Sequence, residues 1–465
     1  MGALEGADRR RVRRLVLVAA LLHGLAYLLA VAPWMGEDEP WHLEYATHVA
    51  ALHRPWGGEA AKLGEGGVDE RREWPTSQLQ VRRRMAGVSE EEIAQRQREI
   101  LASMGEHAYF RRVDWAGAVS DRTDFDQVEP FFTATSQPPG YYTLLGLWLL
   151  PVRHAAIETQ LLWARGLSLL LYLASVWIVL ELACCAFSDR SLAIAAALAF
   201  AWFPMNARLG AVVNNDALAR TLGAAVLMLC ARRLAGDSAR GTLVLAAALV
   251  ALGLLVKSTV MSLAGVVALA WMFGGERSAR WRNVLFGVAG GAVIVGAVLW
   301  LWHVQHSPVL PRNVDAFLAR VQRGASLETF GELWRTFVGG FNWYSREFSP
   351  TTYAVALALA GVATLSAFSA LFHTRRGVSR PVLGLCFALV GLQVLLVVLR
   401  GEGQGRYLMP AMAALAVVFA TGLLAPLSNF RRPAGLKLFA MLLFTYDALF
   451  LWGGLVPNEC LLWGS

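Results

Sequence analysis

Two short polar stretches in an otherwise apolar chain carry the side chains best suited to chemistry. The sequence EDEPWH covers residues 37–42, and NND covers residues 214–216. Each follows a long apolar run, so its carboxylates are expected where a membrane helix reaches the bilayer surface. Ionisable groups kept at a membrane are costly and are mostly functional. We therefore take Asp38, Glu39 and Asp216 as candidate catalytic residues.

Three basic residues are placed to bind an anion near these carboxylates. Lys257 separates two apolar runs at a tight turn, and Arg406 follows the glycines of GEGQGRY. Arg165 lies about one turn inside an apolar run, where an unpaired arginine is costly. Guanidinium groups suit bidentate contact with phosphate, so the three residues are candidates for binding a phosphate group.

Structural roles compete with chemistry at these positions. Asp38 and Glu39 also suit capping of the helix that follows them. Asp216 is one helical turn from Arg220, and the two side chains suit an ion pair along the helix. Lys257 also suits a loop position from which its ammonium group reaches the membrane surface.

Membrane helices are the elements that would position these groups. The 465-residue chain is 56% hydrophobic and 16% charged, and its apolar runs of roughly 17–25 residues are long enough to cross about 30 Å of hydrocarbon. We predict an all-α polytopic membrane protein with eleven transmembrane helices, forming a single integral membrane domain over residues 1–465. The predicted spans are residues 15–33, 160–183, 192–205, 217–231, 242–256, 260–274, 284–302, 353–372, 382–399, 408–426 and 436–452.

Arginines between the spans predict the orientation in a cell membrane. The cluster at residues 9–14 places the N-terminus in the cytoplasm, and the first span is predicted to be a retained signal anchor. Residues 138–152 are apolar but short, and an interfacial helix there keeps the later arginine clusters on the cytoplasmic side. The net charge of +8 therefore indicates orientation and not a nucleic-acid partner.

This topology places all the candidate groups on the extracytoplasmic face. Residues 34–159 form a large first loop with juxtamembrane helices, and residues 303–352 form a second long loop. Trp41 and Tyr45 recur at helical spacing and predict an amphipathic helix lying on the membrane. Cysteine spacing predicts neither a disulfide framework nor a metal-ligand set.

The motifs resemble those of the GT-C superfamily of membrane glycosyltransferases, such as protein O-mannosyltransferases and lipid A aminoarabinose transferases. Within it, the chain is most similar to a bacterial membrane-protein family marked by PDEPxHF, where this sequence has EDEPWHL. The resemblance continues, in the expected order, through QPPGYY, ARGLSLL, VNNDALA, LLVKST, FNW and QGRYLMP. Glu37, Leu43 and Gly140 depart from the family pattern.

The resemblance implies transfer of a sugar from a polyprenyl-phosphate-linked donor to an acceptor on the extracytoplasmic side, within the cell envelope. Asp38 would be the base, Glu39 would orient it, and Asp216 would be a second carboxylate. One base without a covalent nucleophile implies inversion at the anomeric carbon. The donor phosphate is assigned to Lys257, Arg406 and Arg165, and substrate positioning to His42, Gln137, Tyr141 and Tyr407. The sequence specifies neither sugar nor acceptor, requires no cofactor, and leaves a divalent cation open.

Three other functions stay open at this point, one of them a lipid-linked glycan polymerase or ligase within the enzyme class. A non-catalytic accessory subunit of a glycan-assembly complex would share the fold and the membrane setting. A secondary transporter would carry ionisable groups near mid-membrane in broken helices, often within repeated halves. The ionisable groups predicted here cluster at one face and no repeat is visible, which favours the enzyme.

Overall fold

A computed structural model gives the architecture of the protein. It describes residues 6–36, 38–52, 90–107, 109, 137–236, 240–274, 319, 321–341, 346–373, 375–401 and 403–456. Regular structure in these residues is helical, apart from an antiparallel pair of two-residue strands, β1 (Gly340–Phe341) and β2 (Arg346–Glu347). The predicted all-α class is confirmed.

Fifteen α-helices occur in the described residues. They are α1 (Gly6–Ala30), α2 (Glu39–Leu52), α3 (Glu90–Glu106), α4 (Gly140–Leu149), α5 (Ile157–Ala186), α6 (Arg190–Ala201), α7 (Pro204–Gly210), α8 (Asp216–Leu234), α9 (Arg240–Leu254), α10 (Ser262–Phe273), α11 (Leu327–Gly339), α12 (Pro350–Phe372), α13 (Arg380–Arg400), α14 (Met412–Leu424) and α15 (Arg432–Ala448). Three-residue-per-turn helices cover Leu150–Val152, Ser258–Met261 and Gly405–Ala411, and a π-helix covers Leu449–Leu455.

Six described helices are long and apolar enough to cross a membrane, and a seventh span results if α6 and α7 count as one bent helix. Our prediction of eleven spans is therefore not confirmed. Helix α8 carries four charged residues, while α9 and α10 have only 15 and 12 residues. The predicted span at residues 284–302 lies outside the described residues, as do residues 303–318, 320 and 342–345 of the predicted loop at residues 303–352.

Helix α8 lies at the centre of the bundle. It packs against α5, α9, α10 and α14, and small residues along it let neighbouring backbones approach closely. Helix α12 is peripheral, and its exposed side chains include Leu357, Val362 and Leu365. Apolar side chains exposed along a long helix suit contact with lipid.

The bend between α6 and α7, measured at 57°, interrupts the backbone hydrogen bonds of this span. Pro204 begins α7 and has no N–H to donate. Side chains bond the carbonyls left at the end of α6: Asn206 Nδ2 donates to Phe200 at 2.7 Å, and Tyr172 donates to Ala201 at 2.6 Å. Polar side chains thus replace the missing backbone donors, as a buried helix break requires.

His23 in α1 joins this break to α15. Its Nδ1 lies 3.2 Å from the Ala201 carbonyl, and its Nε2 lies 2.8 Å from Asp447 Oδ2. Tyr27 donates to the other oxygen of Asp447 at 2.7 Å. Buried hydrogen bonds and packing thus account for His23.

Helix α2 differs from the surface helix that we predicted. It begins at Glu39 with Pro40 in its first turn, and Trp41, Leu43 and Ala46 on different faces are all buried. The cause is cover from both sides, because α2 packs against α3 and α4. The spacing of Trp41 and Tyr45 predicted only one apolar face of this helix, whereas several faces are buried.

Candidate functional site

Asp38 occupies the junction between α1 and α2 in an unusual backbone conformation. Its φ of +60° lies in the left-handed region, which is disfavoured for residues with a Cβ and is often retained at functional sites. The carboxylate is buried and forms an ion pair with Arg406, which lies in the helical turn before α14. Asp38 therefore pairs with an arginine far along the chain, and its capping of the following helix stays a prediction.

Glu39 is bonded on all sides. Arg165 in α5 donates through Nε to Oε1 at 2.9 Å and through Nη2 to Oε2 at 2.7 Å, and the Val213 N–H donates to Oε1 at 2.9 Å. The guanidinium of Arg165 also donates to the carbonyls of Val31 and Ala32. Four of its five N–H groups are thus bonded to the protein, and a phosphate role for Arg165 stays a prediction.

A second ion pair joins Asp216, the first residue of α8, to Lys257 between α9 and the next helical turn. Lys257 Nζ lies 2.7 Å from Asp216 Oδ2, and both side chains are buried. Arg220 instead donates to Asn206, at 2.7 Å to Oδ1. The alternatives of an Asp216–Arg220 pair and of a surface lysine are therefore wrong. Asp216 Oδ1 has no hydrogen-bonding partner among the described residues.

The cations and carboxylates of these pairs lie within electrostatic reach of one another. Burial lowers the pKa of Lys257 to about 8, with Asp216 opposing this change and Arg406 adding to it. Burial, Arg406 and Lys257 lower the pKa of His42 to about 3, so its imidazole is neutral at physiological pH. We name Asp38, Arg406, Asp216 and Lys257 the charge cluster.

Aromatic side chains of α2 and α4 surround His42. His42 Nδ1 lies 2.7 Å from the Tyr142 hydroxyl, and the two rings stack with centroids 5.7 Å apart. Tyr141 is buried beside Ser168 and the backbone of Asn214, and burial raises the pKa of its phenol. From the sequence we predicted substrate positioning for Tyr141 but no role for Tyr142, although both belong to QPPGYY.

Two glycines allow close backbone contacts at the site. The N–H of Gly140 donates to the Leu255 carbonyl at 2.6 Å, and a Cβ at Gly140 would lie 2.6 Å from the same oxygen. A Cβ at Gly405 would lie 2.3 Å from the backbone nitrogen of Phe337. The first contact holds α4 against the turn that carries Lys257, and Gln137 near the start of α4 lies 3.4 Å from Asn215.

Arg400 is a further cation of the site that the sequence did not reveal. Both Arg400, at 4.6 Å, and Lys257, at 5.8 Å, lie near the centroid of the Tyr407 ring. Arg400 Nη1 also donates to Ser258 at 3.0 Å. One sequence signal was available: in our predicted topology Arg400 ends a span on the extracytoplasmic side, against the usual bias of arginines.

The site thus combines two buried carboxylates, each held by its own cation, with a third cation nearby. Among the described residues, no group of three or more His, Cys, Asp or Glu side chains is arranged to hold a metal ion. The divalent cation left open by the sequence stays a hypothesis. Chemically, the arrangement suits binding of an anion beside a carboxylate that accepts a proton.

Comparisons with known proteins place the chain in a family without giving it an activity. The family DUF2142, described as a predicted membrane protein, matches residues 21–442. No curated protein matches the chain. Two crystal structures of ArnT from Cupriavidus metallidurans are similar: one bound to undecaprenyl phosphate (TM-score 0.47, 15% identity) and one in the apo state (0.48, 14%), each alignment covering 96% of this chain and 73% of that one. Because both TM-scores are below 0.5, the chemistry must be argued from the side chains of this protein.

Proposed function

Since the chain belongs to the DUF2142 family of predicted membrane proteins, we propose that it works as a multi-pass membrane glycosyltransferase of the GT-C type. Its charge cluster would move a sugar from a polyprenyl-phosphate donor to an acceptor hydroxyl on the extracytoplasmic side. The observation that carries the proposal is the pairing of Asp38 with Arg406 and of Asp216 with Lys257 in one buried cluster.

The reaction needs a base for the acceptor and cations for the leaving phosphate. Asp38 accepts the proton of the acceptor hydroxyl as the acceptor oxygen bonds to the anomeric carbon. The bond from that carbon to the phosphate oxygen breaks, and the electron pair leaves with the polyprenyl phosphate. Arg406 and Lys257 stabilise the charge of that phosphate. A single displacement inverts the anomeric carbon.

The ion pairs suggest how donor binding prepares the base. Arg406 is bonded to Asp38, and Lys257 is bonded to Asp216. A donor phosphate competes with these carboxylates for the same cations, so its binding releases Asp38 to accept a proton. Arg400 beside Tyr407 adds the extra positive charge that offsets the added phosphate. In this scheme the acceptor is activated only while a polyprenyl phosphate is bound to these cations.

Glu39 and Arg165 are assigned to positioning in this scheme. Their bidentate, fully buried ion pair ties the start of α2 to α5, and the Val213 N–H ties it to the loop before α8. Asp38 directly precedes Glu39, and Asp216 lies three residues after Val213, so these contacts hold the backbone beside both carboxylates of the charge cluster. Gln137, Tyr141, Tyr407 and His42 are assigned to substrate positioning around the charge cluster.

The decisive experiment reconstitutes the purified protein in nanodiscs and measures two quantities. Binding of undecaprenyl phosphate, used as the probe, is measured by native mass spectrometry, and sugar transfer is measured with cell-envelope lipid extracts as the source of donor and acceptor. We expect binding by the wild type, loss of binding in the Lys257→Ala, Arg406→Ala double variant, and loss of transfer in Asp38→Asn. Binding unchanged by the double variant contradicts the phosphate assignment.

A secondary transporter is the second candidate, and the broken span α6–α7 is the observation that favours it. The carbonyls exposed by the break are bonded to Asn206 and Tyr172, which leaves them occupied by the protein itself. Solute uptake into proteoliposomes driven by an ion gradient, unaffected by Asp38→Asn, would favour the transporter over the enzyme.

A further inference from the structure

We propose that Tyr142 is a positioning residue that fixes the tautomer of His42, so that His42 offers an Nε2–H to the charge cluster as a neutral hydrogen-bond donor. The use of that donor in sugar transfer rests on the proposed function. The tautomer itself rests only on the contacts of the two side chains.

The contact between the two residues is short and well supported. The Tyr142 hydroxyl lies 2.7 Å from His42 Nδ1, and both side chains are buried. The rings stack at an interplanar angle of 27°, and Tyr45 packs against the Tyr142 ring with centroids 4.2 Å apart. Packing on both rings therefore holds the hydroxyl against one nitrogen.

The direction of the hydrogen bond follows from the proton that each partner carries. Burial raises the pKa of the Tyr142 phenol well above its usual value, so the hydroxyl keeps its proton. Within the described residues His42 Nδ1 is its hydrogen-bonding partner. A proton on Nδ1 would leave the phenol proton buried without an acceptor, which is unfavourable. The phenol therefore donates, and Nδ1 accepts.

A neutral imidazole with Nδ1 as acceptor carries its single proton on Nε2. Arg406 and Lys257 oppose a positive charge on the ring, while Asp216 favours it less strongly. The ring of Tyr141 is nearly perpendicular to that of His42, with centroids 6.5 Å apart. His42 thus stays neutral throughout the physiological pH range. A protonated Nε2 can donate to a phosphate or sugar oxygen, but it can neither accept the acceptor's proton nor bind a metal.

The tautomer is tested directly by NMR on full-length protein with nitrogen-15-labelled histidine in nanodiscs. His42→Gln identifies the His42 signals by their disappearance. We expect a protonated Nε2, a bare Nδ1 and no titration between about pH 5 and pH 9. In Tyr142→Phe we expect this preference to be lost, whereas Tyr45→Phe, which removes a hydroxyl from the neighbouring ring, should leave it unchanged.

A protonated Nδ1 in the wild type, or a tautomer unchanged in Tyr142→Phe, overturns the proposal. Activity gives an independent comparison, because glutamine places its amide nitrogen near the position of Nε2 and asparagine near that of Nδ1. We expect His42→Gln to keep transfer within about tenfold of wild type and His42→Asn to lose more, since one hydrogen bond differs. Equal losses refute the donor role. Absence of transfer in the wild type contradicts the proposed function and leaves the NMR result to decide the tautomer.

Discussion

At the scale of single residues, the role of Asp38 depends on its ion pair with Arg406 as well as on its own carboxylate. Asp38 is held by Arg406, in a left-handed backbone conformation that few residue types adopt readily. Asp38→Asn keeps the shape and removes the negative charge. We expect transfer to fall by roughly 10²–10⁴-fold, the usual contribution of a positioned base.

The same substitution should act differently on binding. Because Arg406 loses its competing carboxylate, undecaprenyl phosphate should bind Asp38→Asn at least as tightly as wild type. The rate of sugar transfer and the affinity for undecaprenyl phosphate are both measured on one preparation of nanodisc-embedded protein. Transfer at the wild-type rate would remove Asp38 as the base, and much weaker binding would contradict the exchange of partners at Arg406.

Lys257 should make the affinity of the site for phosphate depend on pH near pH 8. Its pKa of about 8 means that the ammonium is charged at pH 7 and loses its proton as the pH rises through that value. Affinity for the probe phosphate should therefore decline above about pH 8, well before an ordinary lysine would deprotonate at about pH 10.4. Lys257→Arg should move this decline to higher pH, and an unchanged profile would contradict the role of Lys257.

At the scale of elements, α2 and α5 are joined by the buried ion pair between Glu39 and Arg165. Arg165→Ala leaves the Glu39 carboxylate buried without its cation, and we expect a loss of about 3–5 kcal/mol in the free energy of unfolding. Arg96 pairs with Glu99 on a solvent-accessible face of α3, so Arg96→Ala should cost less than about 1 kcal/mol. Thermal unfolding in detergent compares the two variants, and similar losses would contradict a special role for the buried pair.

The contact between α4 and the Lys257 turn makes a second prediction. Gly140→Ala introduces a Cβ at 2.6 Å from the Leu255 carbonyl, so the two segments must separate, at a cost of about 1–3 kcal/mol. We expect weaker binding of the probe phosphate together with lower thermal stability. Gly166→Ala is the matched control, because a Cβ there meets nothing within 4 Å. Equal effects of both changes would show that the contact is unimportant.

The sequence predicted the elements of the site better than their partners. Apolar runs define most of the helices, and the proline after Glu39 marks the start of α2. Local patterns could not predict that Glu39 meets Arg165, which is 126 residues away. They also could not predict that α2 would be covered by α3 and α4, because burial from both sides leaves no distinctive spacing. Arg400 was missed because it sits at the end of an ordinary apolar helix.

At the scale of the whole molecule, the proposed function requires a single orientation in the membrane. The predicted topology places Gln137 on the extracytoplasmic side, where it is partly accessible. A Gln137→Cys variant, made in a background without native cysteines, should react with a membrane-impermeant thiol reagent in intact cells. A cysteine replacing Arg375, in a predicted cytoplasmic loop, should react only after permeabilisation. The reverse pattern would contradict the proposed reaction on the extracytoplasmic side.

The link between His23 and Asp447 bears on how the protein is made. These residues belong to the first and last described membrane helices and are separated by 424 positions in the chain. During synthesis, His23 enters the bilayer long before its carboxylate partner has been translated. The hydrogen-bonded support beneath the α6–α7 bend is therefore complete only after α15 has been translated and inserted.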